Sequence, residues 1–352
     1  MNARAVFQPI ALSAALAASL LAQEPQKPSQ KSEIQVRAEA LMDRARHLSD
    51  IRAKNAPAFR LQAKFFFVGK DLENEEGSYT EIWVSDSRWR RETVVNNFHR
   101  VEIGTPDRIW KLDNSKDFPE TAARLPDLMN MFPAASASLE FESITDRTDQ
   151  KPAEQCATSK LGSQQEKYRF CFDRKSGALL AKLSPQIRAQ NMTDYSCFYG
   201  IFRKSGEFWF PHEMACLEGK HRQLEAKVEE LSADPSPAAS LFTPPPGAIE
   251  LGRCSGASAL PVATFQPEPG FPTGIPPQDS SVALSLIVDA RGRPQAIKVS
   301  QSGGKDFDDD ALTAVGKWRY KPGTCEGEPM PVEIKVIVDF RIPSMRVPIM
   351  HR

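Results

Sequence analysis

The apolar positions change period along the chain. From residue 33 to 54, Ile34, Ala38, Leu41, Ala45 and Leu48 recur at spacings of 4, 3, 4 and 3, the single stripe of an amphipathic helix. Ser32 or a neighbour is placed to cap it, and Pro57 stops its continuation. From Phe59 the pattern turns to strands. Segments 60–68, 79–84, 88–95, 99–103 and 108–112 are rich in aromatic and β-branched residues, and Gly69, Asn74, Gly77, Asp86, Asn96, Asn97 and Gly104 separate them. This predicts an antiparallel meander. Residues 119–131 read as a helix that Pro126 bends or shortens. Strands resume at 139–144, 167–173, 178–184, 194–203, 207–217 and 222–231, with hairpin turns at 173–177 and 203–206.

A second, smaller pattern follows residue 279. Val282, Leu284, Leu286 and Val288 alternate and share one strand face. A turn at 289–292 leads to a partner strand at 295–302, broken by Ser302, Gly303 and Gly304. A helix is predicted over 308–318, with Asp308 as N-cap and Asp309 and Asp310 suited to its positive end. Lys317 and Arg319 suit the negative end, and Ala311, Leu312, Val315 and Trp318 form the apolar face. The last strand, 332–340, alternates strictly. Val332, Ile334, Val336, Val338 and Phe340 lie on one face, and Glu333, Lys335, Ile337 and Asp339 on the other. The fold class is therefore α+β: an antiparallel sheet with a long helix, then a small β-β-α-β unit.

Length and charge narrow this further. A chain of 352 residues suits two domains at about 150 residues each. Lys+Arg and Asp+Glu both total 45, and a net charge of zero argues against a duplex nucleic-acid binder. Arg4 is the one charge before the apolar run Ile10–Ala22, and Gln23, Glu24 and Pro25 follow it. That run has 13 residues, short of the roughly 20 needed to span a bilayer. Residues 1–22 read as a signal peptide, or else as a short membrane anchor. The resulting division is 1–22 for export, 23–32 leader, 33–250 β domain, 251–278 Pro-rich linker, 279–342 C-terminal unit and 343–352 tail.

An exported chain with six cysteines points to disulfides. Six cysteines permit 15 pairings, which sequence leaves open. Hairpin midpoints favour Cys156 with Cys171 and Cys197 with Cys216, leaving Cys254 with Cys325. Neither C-x-x-C nor a His/Cys cluster is present, so a metal site is not expected. The motifs G-x-S-x-G, H-E-x-x-H, G-x-x-x-x-G-K and G-x-G-x-x-G are also missing. His212 beside Glu213 reads as a strand-end histidine rather than an acid/base pair. The acids at 306–310 enter a helix directly and lack the spacing of a calcium loop. Phe65, Phe66, Phe67, Trp83, Trp89 and Trp110 either fill the sheet core or line an apolar ligand cavity.

Two resemblances add to this reading. The stretch 282–289, Gly292, Ser302-Gly303, Phe307-Asp308 with Ala311, Ala314, the run 317–322 around Trp318 and Pro322, and the run 327–332 resemble the TonB C-terminal domain in order. Phe271-Pro272 stands where that family has an upstream aromatic-proline pair. The first domain, through 81–84, 88–92, 100–110 and Leu241-Phe242-Thr243-Pro244-Pro245, looks like the LolA/LolB lipoprotein-carrier class, a resemblance that implies a half-barrel-like antiparallel sheet with a long helix. The cysteine hairpins depart from that class, and a whole domain stands where a transducer has its long spacer.

The first resemblance implies a periplasmic binding protein, adaptor or energy transducer in outer-membrane transport. It would engage a segment of an outer-membrane receptor, or of another periplasmic protein, by strand addition along 332–340. Contact with an inner-membrane motor requires an uncleaved N-terminus. The second resemblance implies the alternative, a carrier of lipid or lipoprotein whose acyl chain occupies an apolar cavity. Neither implies an enzyme, a cofactor or a metal.

Overall fold

The computed structural model describes residues 31–68, 75–115, 119–133, 139–161, 167–187, 192–254, 256–274 and 278–342. The export segment 1–22 and the tail 343–352 lie outside them. Helix α1 spans Glu33–Ser49, and the Ser32 hydroxyl accepts from the Gln35 N–H at 3.1 Å, as a capping serine should. It ends at Asp50, short of Pro57, because the Asp50 carboxylate accepts from the Arg52 N–H and opens a turn. Its buried face is Ala38, Met42, Ala45 and Ser49, rotated by a residue from the expected stripe. Ile34 is left exposed. The small Ala38 and Ala45 let the helix approach the sheet, and the Ser49 hydroxyl satisfies itself on Ala45 O.

Strands β1 (Phe59–Phe67), β2 (Glu76–Ser85), β3 (Arg88–Val95), β4 (Phe98–Gly104) and β5 (Arg108–Asp113) form one meander. Short helices α2 (Glu120–Ala123) and α3 (Leu125–Met129) replace the predicted single helix, with Pro126 in the first turn of the second. A second meander contains β6 (Leu139–Arg147), β7 (Glu154–Leu161), β8 (Lys167–Asp173), β9 (Leu179–Ile187), β10 (Met192–Ser205), β11 (Phe208–Glu218) and β12 (His221–Ala233). Pairing of β1 with β12 joins the two, and β13 (Ile249–Gly252) extends β5. The result is an open thirteen-stranded sheet edged by β13 and β6.

One face of this sheet carries α1, α2 and α3. Phe59, Leu61, Phe65 and Phe67 pack there with Ala38, Met42, Leu125, Leu128 and Met129. Of the six aromatics singled out in the sequence, Phe65, Phe67, Trp83 and Trp89 are core. Gly77 and Gly104 make room for two of them, since a Cβ there would overlap the Phe65 and Trp89 rings. Phe66 and Trp110 lie on the opposite face, where Trp110 joins Ile82, Val101, Ile103 and Phe242. The edge strand β6 is clamped by one side chain. The Gln35 amide donates to Leu139 O and accepts from the Phe141 N–H, standing in for a neighbouring strand.

Residues after β13 continue as short paired strands: β14 (Ser258–Ala259), then β15 (Val262–Phe265). The C-terminal unit contains β16 (Ser280–Val288), β17 (Pro294–Gln301), α4 (Lys305–Gly316), β18 (Arg319–Lys321), β19 (Gly323–Cys325), β20 (Glu328–Met330) and β21 (Val332–Phe340). β16 is central between β17 and β21. Phe307, Ala311 and Val315 of α4 cover Val282, Leu284, Leu286, Val338 and Phe340. The helix starts earlier than Asp308. Gly304, at φ +113°, takes the N-cap position, which the Gly303–Gly304 pair makes accessible. Asp308 instead reaches back, accepting from the Gly303 N–H at 2.9 Å and the Ser302 hydroxyl at 2.6 Å. Trp318 lies beyond the last turn and donates to Pro267 O, tying in the preceding segment.

Three disulfides are present, Cys156–Cys171, Cys197–Cys216 and Cys254–Cys325. The first two join directly opposed residues of neighbouring strands, and the third joins the stretch after β13 to β19. Among the described residues, no helix is long and apolar enough to cross a membrane.

Candidate functional site

The strand singled out in the sequence, Val332–Phe340, is β21 as predicted, residue for residue. Val338 and Phe340 are buried, Ile334 and Val336 are half-buried in the core that α4 covers, and Val332 is half-buried, whereas Glu333, Lys335, Ile337 and Asp339 are exposed. Every residue from Val332 to Phe340 pairs with β16. Among the described residues the other edge of β21 has no strand partner. Such an edge offers unpaired N–H and C=O groups every second residue.

Beside it stands a set of charges that sequence reasoning did not single out. On the helix-bearing face of the first sheet, cross-strand pairing aligns Glu81 with Arg91, Arg91 with Glu102, and Glu102 with Lys111. Lys111 in turn donates to Glu333 of β21 at 2.9 Å. Glu81 is fully buried and holds Arg52, Arg91 and the Tyr79 hydroxyl. Burial pushes its carboxyl up, but the two guanidinium groups outweigh this and hold it at about 2. In the next row Asp113, its side chain 8% exposed, accepts from Arg100 at 2.6 and 2.9 Å and from Lys298 of β17. Burial raises that carboxyl too, and the hydrogen bonds from Arg100 and Lys298 win, so it stays below the ordinary carboxylate range. The C-terminal unit is thus docked by its strand faces onto β5, and Gly252 N–H adds a main-chain bond to Pro331 O.

These charges border a cavity of about 610 Å³. Arg100, Glu102 and Lys111 form one wall, the α2–α3 corner with Arg124 and Asp127 another, and Lys182 of β9 a third. Glu333 and Lys335 close it from β21. Strands β4–β5 and β8–β10 lie several positions apart in the sheet yet line the same space, so the sheet curls around it. The Arg124 guanidinium stacks over the Tyr195 ring at 4.6 Å. The Lys182 ammonium donates to two main-chain carbonyls, Asp127 O and Asn130 O, each at 3.2 Å. Burial lowers its proton affinity, opposed by Asp127.

The charged wall had one signal in the sequence. Arg100 and Glu102 alternate with Val101 and Ile103, as Lys111 and Asp113 do with Trp110 and Leu112. The acids at 306–310 fall in α4, with Asp306 and Asp308 in its first turn. His212 has its proton affinity lowered by burial and by Arg203 and Lys227, with adjacent Glu213 opposing.

Residues 278–342 match the family of the Gram-negative bacterial TonB protein C-terminal. The TonB-type unit therefore comprises β16 to β21 with α4, and the match stops short of the first domain. Several solved structures align with part of the chain. A LolA superfamily protein from Nitrosomonas europaea is 7% identical, with 58% of this chain and 97% of that one aligned at a TM-score of 0.43. A DUF1329 family protein from Desulfovibrio piger is 9% identical, covering 58% and 96% at a TM-score of 0.41. A chain of the Pseudomonas aeruginosa MucA/MucB complex is 9% identical, covering 57% and 100% at a TM-score of 0.20. No curated protein matches the chain.

Proposed function

We propose that this is a periplasmic envelope protein whose TonB-type unit binds an extended segment of a partner, an outer-membrane receptor or another periplasmic protein, by strand addition at β21. One observation carries the reading: β21 is a nine-residue strand with a single ladder partner among the described residues. Its apolar face is fixed by α4, so an added strand meets a preset register. The test is a titration of the full chain with a fluorescent eight-residue Val-Gln alternating peptide. Successive N–H groups of a strand point to opposite edges. One of Ile334→Pro and Lys335→Pro therefore removes an edge donor and the other a ladder donor to β16. Saturable binding lost in the variant that keeps its stability supports the reading. Absence of binding, or equal affinity in both variants, overturns it.

Lipid carriage is a second reading, favoured by a separate cleft of about 660 Å³ on the sheet face away from α1. Leu180, Phe198, Ile201, Phe202 and Phe66 contribute apolar surface to it, and its size suits a small-molecule ligand. Native mass spectrometry of the protein purified from the envelope should show a bound acyl species, and its absence counts against carriage.

A further inference from the structure

We infer that the partner segment is acidic, and that its carboxylates enter the cavity between β21, the α2–α3 corner and the curled sheet. This rests on strand addition at β21 and adds the chemistry of the partner. The geometry runs from β21 outward. A strand added to an edge lies about 4.8 Å away, and its side chains on a given face fall about 5 Å from those of the host strand. Glu333 and Lys335 share one face of β21, and both line the cavity. Residues of the added strand on that face therefore project into the same space.

The charge of that space selects them. Arg100, Lys111, Arg124, Lys182 and Lys335 line it with Glu102, Asp127 and Glu333, and Asp113 behind the wall takes up Arg100. Glu333 is already taken up by Lys111. Lys182 is the group best placed to gain. Its ammonium is held by neutral carbonyls within partly buried surroundings, where a carboxylate neighbour interacts more strongly than in water. The other face of the added strand continues the apolar surface of Ile334 and Val336. The predicted ligand is thus a strand of alternating apolar and acidic residues.

Three labelled eight-residue peptides test this on the full chain: Val-Glu, Val-Gln and Val-Lys alternations. A charge-assisted bond in such a site is worth about tenfold in affinity. Val-Glu should bind about tenfold more tightly than Val-Gln, with Val-Lys weakest. The preference for Glu over Gln should shrink in Lys182→Met and in the exposed Lys335→Gln, while Val-Gln affinity stays unchanged. Because Lys182 also anchors α3, the Lys335 variant keeps the test valid if Lys182→Met fails to fold. Equal binding of all three peptides overturns the acidic preference and leaves strand addition standing. No binding by any peptide overturns both. A Glu preference untouched by both lysine variants also overturns the assignment of this cavity.

Discussion

Replacing Glu81 by Gln keeps the shape of the side chain and removes the charge that Arg52 and Arg91 enclose. Glu81 has no solvent exposure, and the Arg52 side chain is only 8% exposed, so solvent screens little of the interaction. Its carboxyl is held at about 2 against an ordinary 4.5. At about 1.4 kcal/mol for each pH unit, that difference corresponds to about 3 kcal/mol of folding stability. Removal of one partner from a buried ion pair costs about 3–5 kcal/mol, which agrees. The sign fixes the pH window. A carboxyl whose folded value is depressed contributes fully above its unfolded value near 4.5 and loses that contribution as pH falls toward 2. Urea unfolding of the parent and Glu81→Gln should therefore differ by about 3 kcal/mol at pH 7, with the gap closing between about pH 4.5 and 2. A gap below about 1 kcal/mol at pH 7, or one that does not change with pH, refutes the reasoning.

Three further perturbations probe other parts of the molecule. Asp113→Asn leaves Arg100 and Lys298 without their shared carboxylate, so hydrogen exchange should rise in both β5 and β17; a rise confined to β5 would show that the junction does not depend on this residue. Gly292 sits at φ +75°, and a Cβ built there lies 1.8 Å from Tyr320 O. Gly292→Ala should destabilise the TonB-type unit by at least about 2 kcal/mol, and an unchanged urea midpoint would contradict that. Cys254→Ser with Cys325→Ser opens a loop with a sequence separation of 71. In the chain-entropy account this costs about 4 kcal/mol, measurable as a lower unfolding midpoint without added reductant.

How far the sequence could be read depended on the neighbours of each element. Segments 88–95, 167–173 and 332–340 coincide with β3, β8 and β21 because turn residues bound a clear alternation. Strand β7, Glu154–Leu161, was missed because its fully buried residues are the small Cys156, Ala157 and Ser159, and Glu154, Gln155, Thr158 and Lys160 between and around them are polar. Its existence was implied only by the pairing of Cys156 with Cys171. The charged wall was missed for a different reason. Alternation separates two faces but does not say which one is enclosed. Along 100–103 the natural choice places Val101 and Ile103 inside and Arg100 and Glu102 in solvent. In the fold both faces are covered, the apolar one by Leu241 and Phe242 and the charged one by the α2–α3 corner and β21.

The stretch 251–278 shows why composition alone did not place the TonB-type unit. Its prolines favour extended backbone, and an extended chain of this length can reach up to about 90 Å. Extended backbone is also what an unpaired sheet edge accepts. Here β13 pairs with β5, β14 with β19 and β15 with β18, and Cys254–Cys325 fixes the turn between them. The same propensity therefore folds the stretch back instead of extending it. That return brings Glu333 to Lys111 and Lys298 to Asp113. The β21 edge, without a strand partner among the described residues, and the cavity holding Arg124 and Lys182 then share a wall, so a segment bound at β21 would meet side chains of both units.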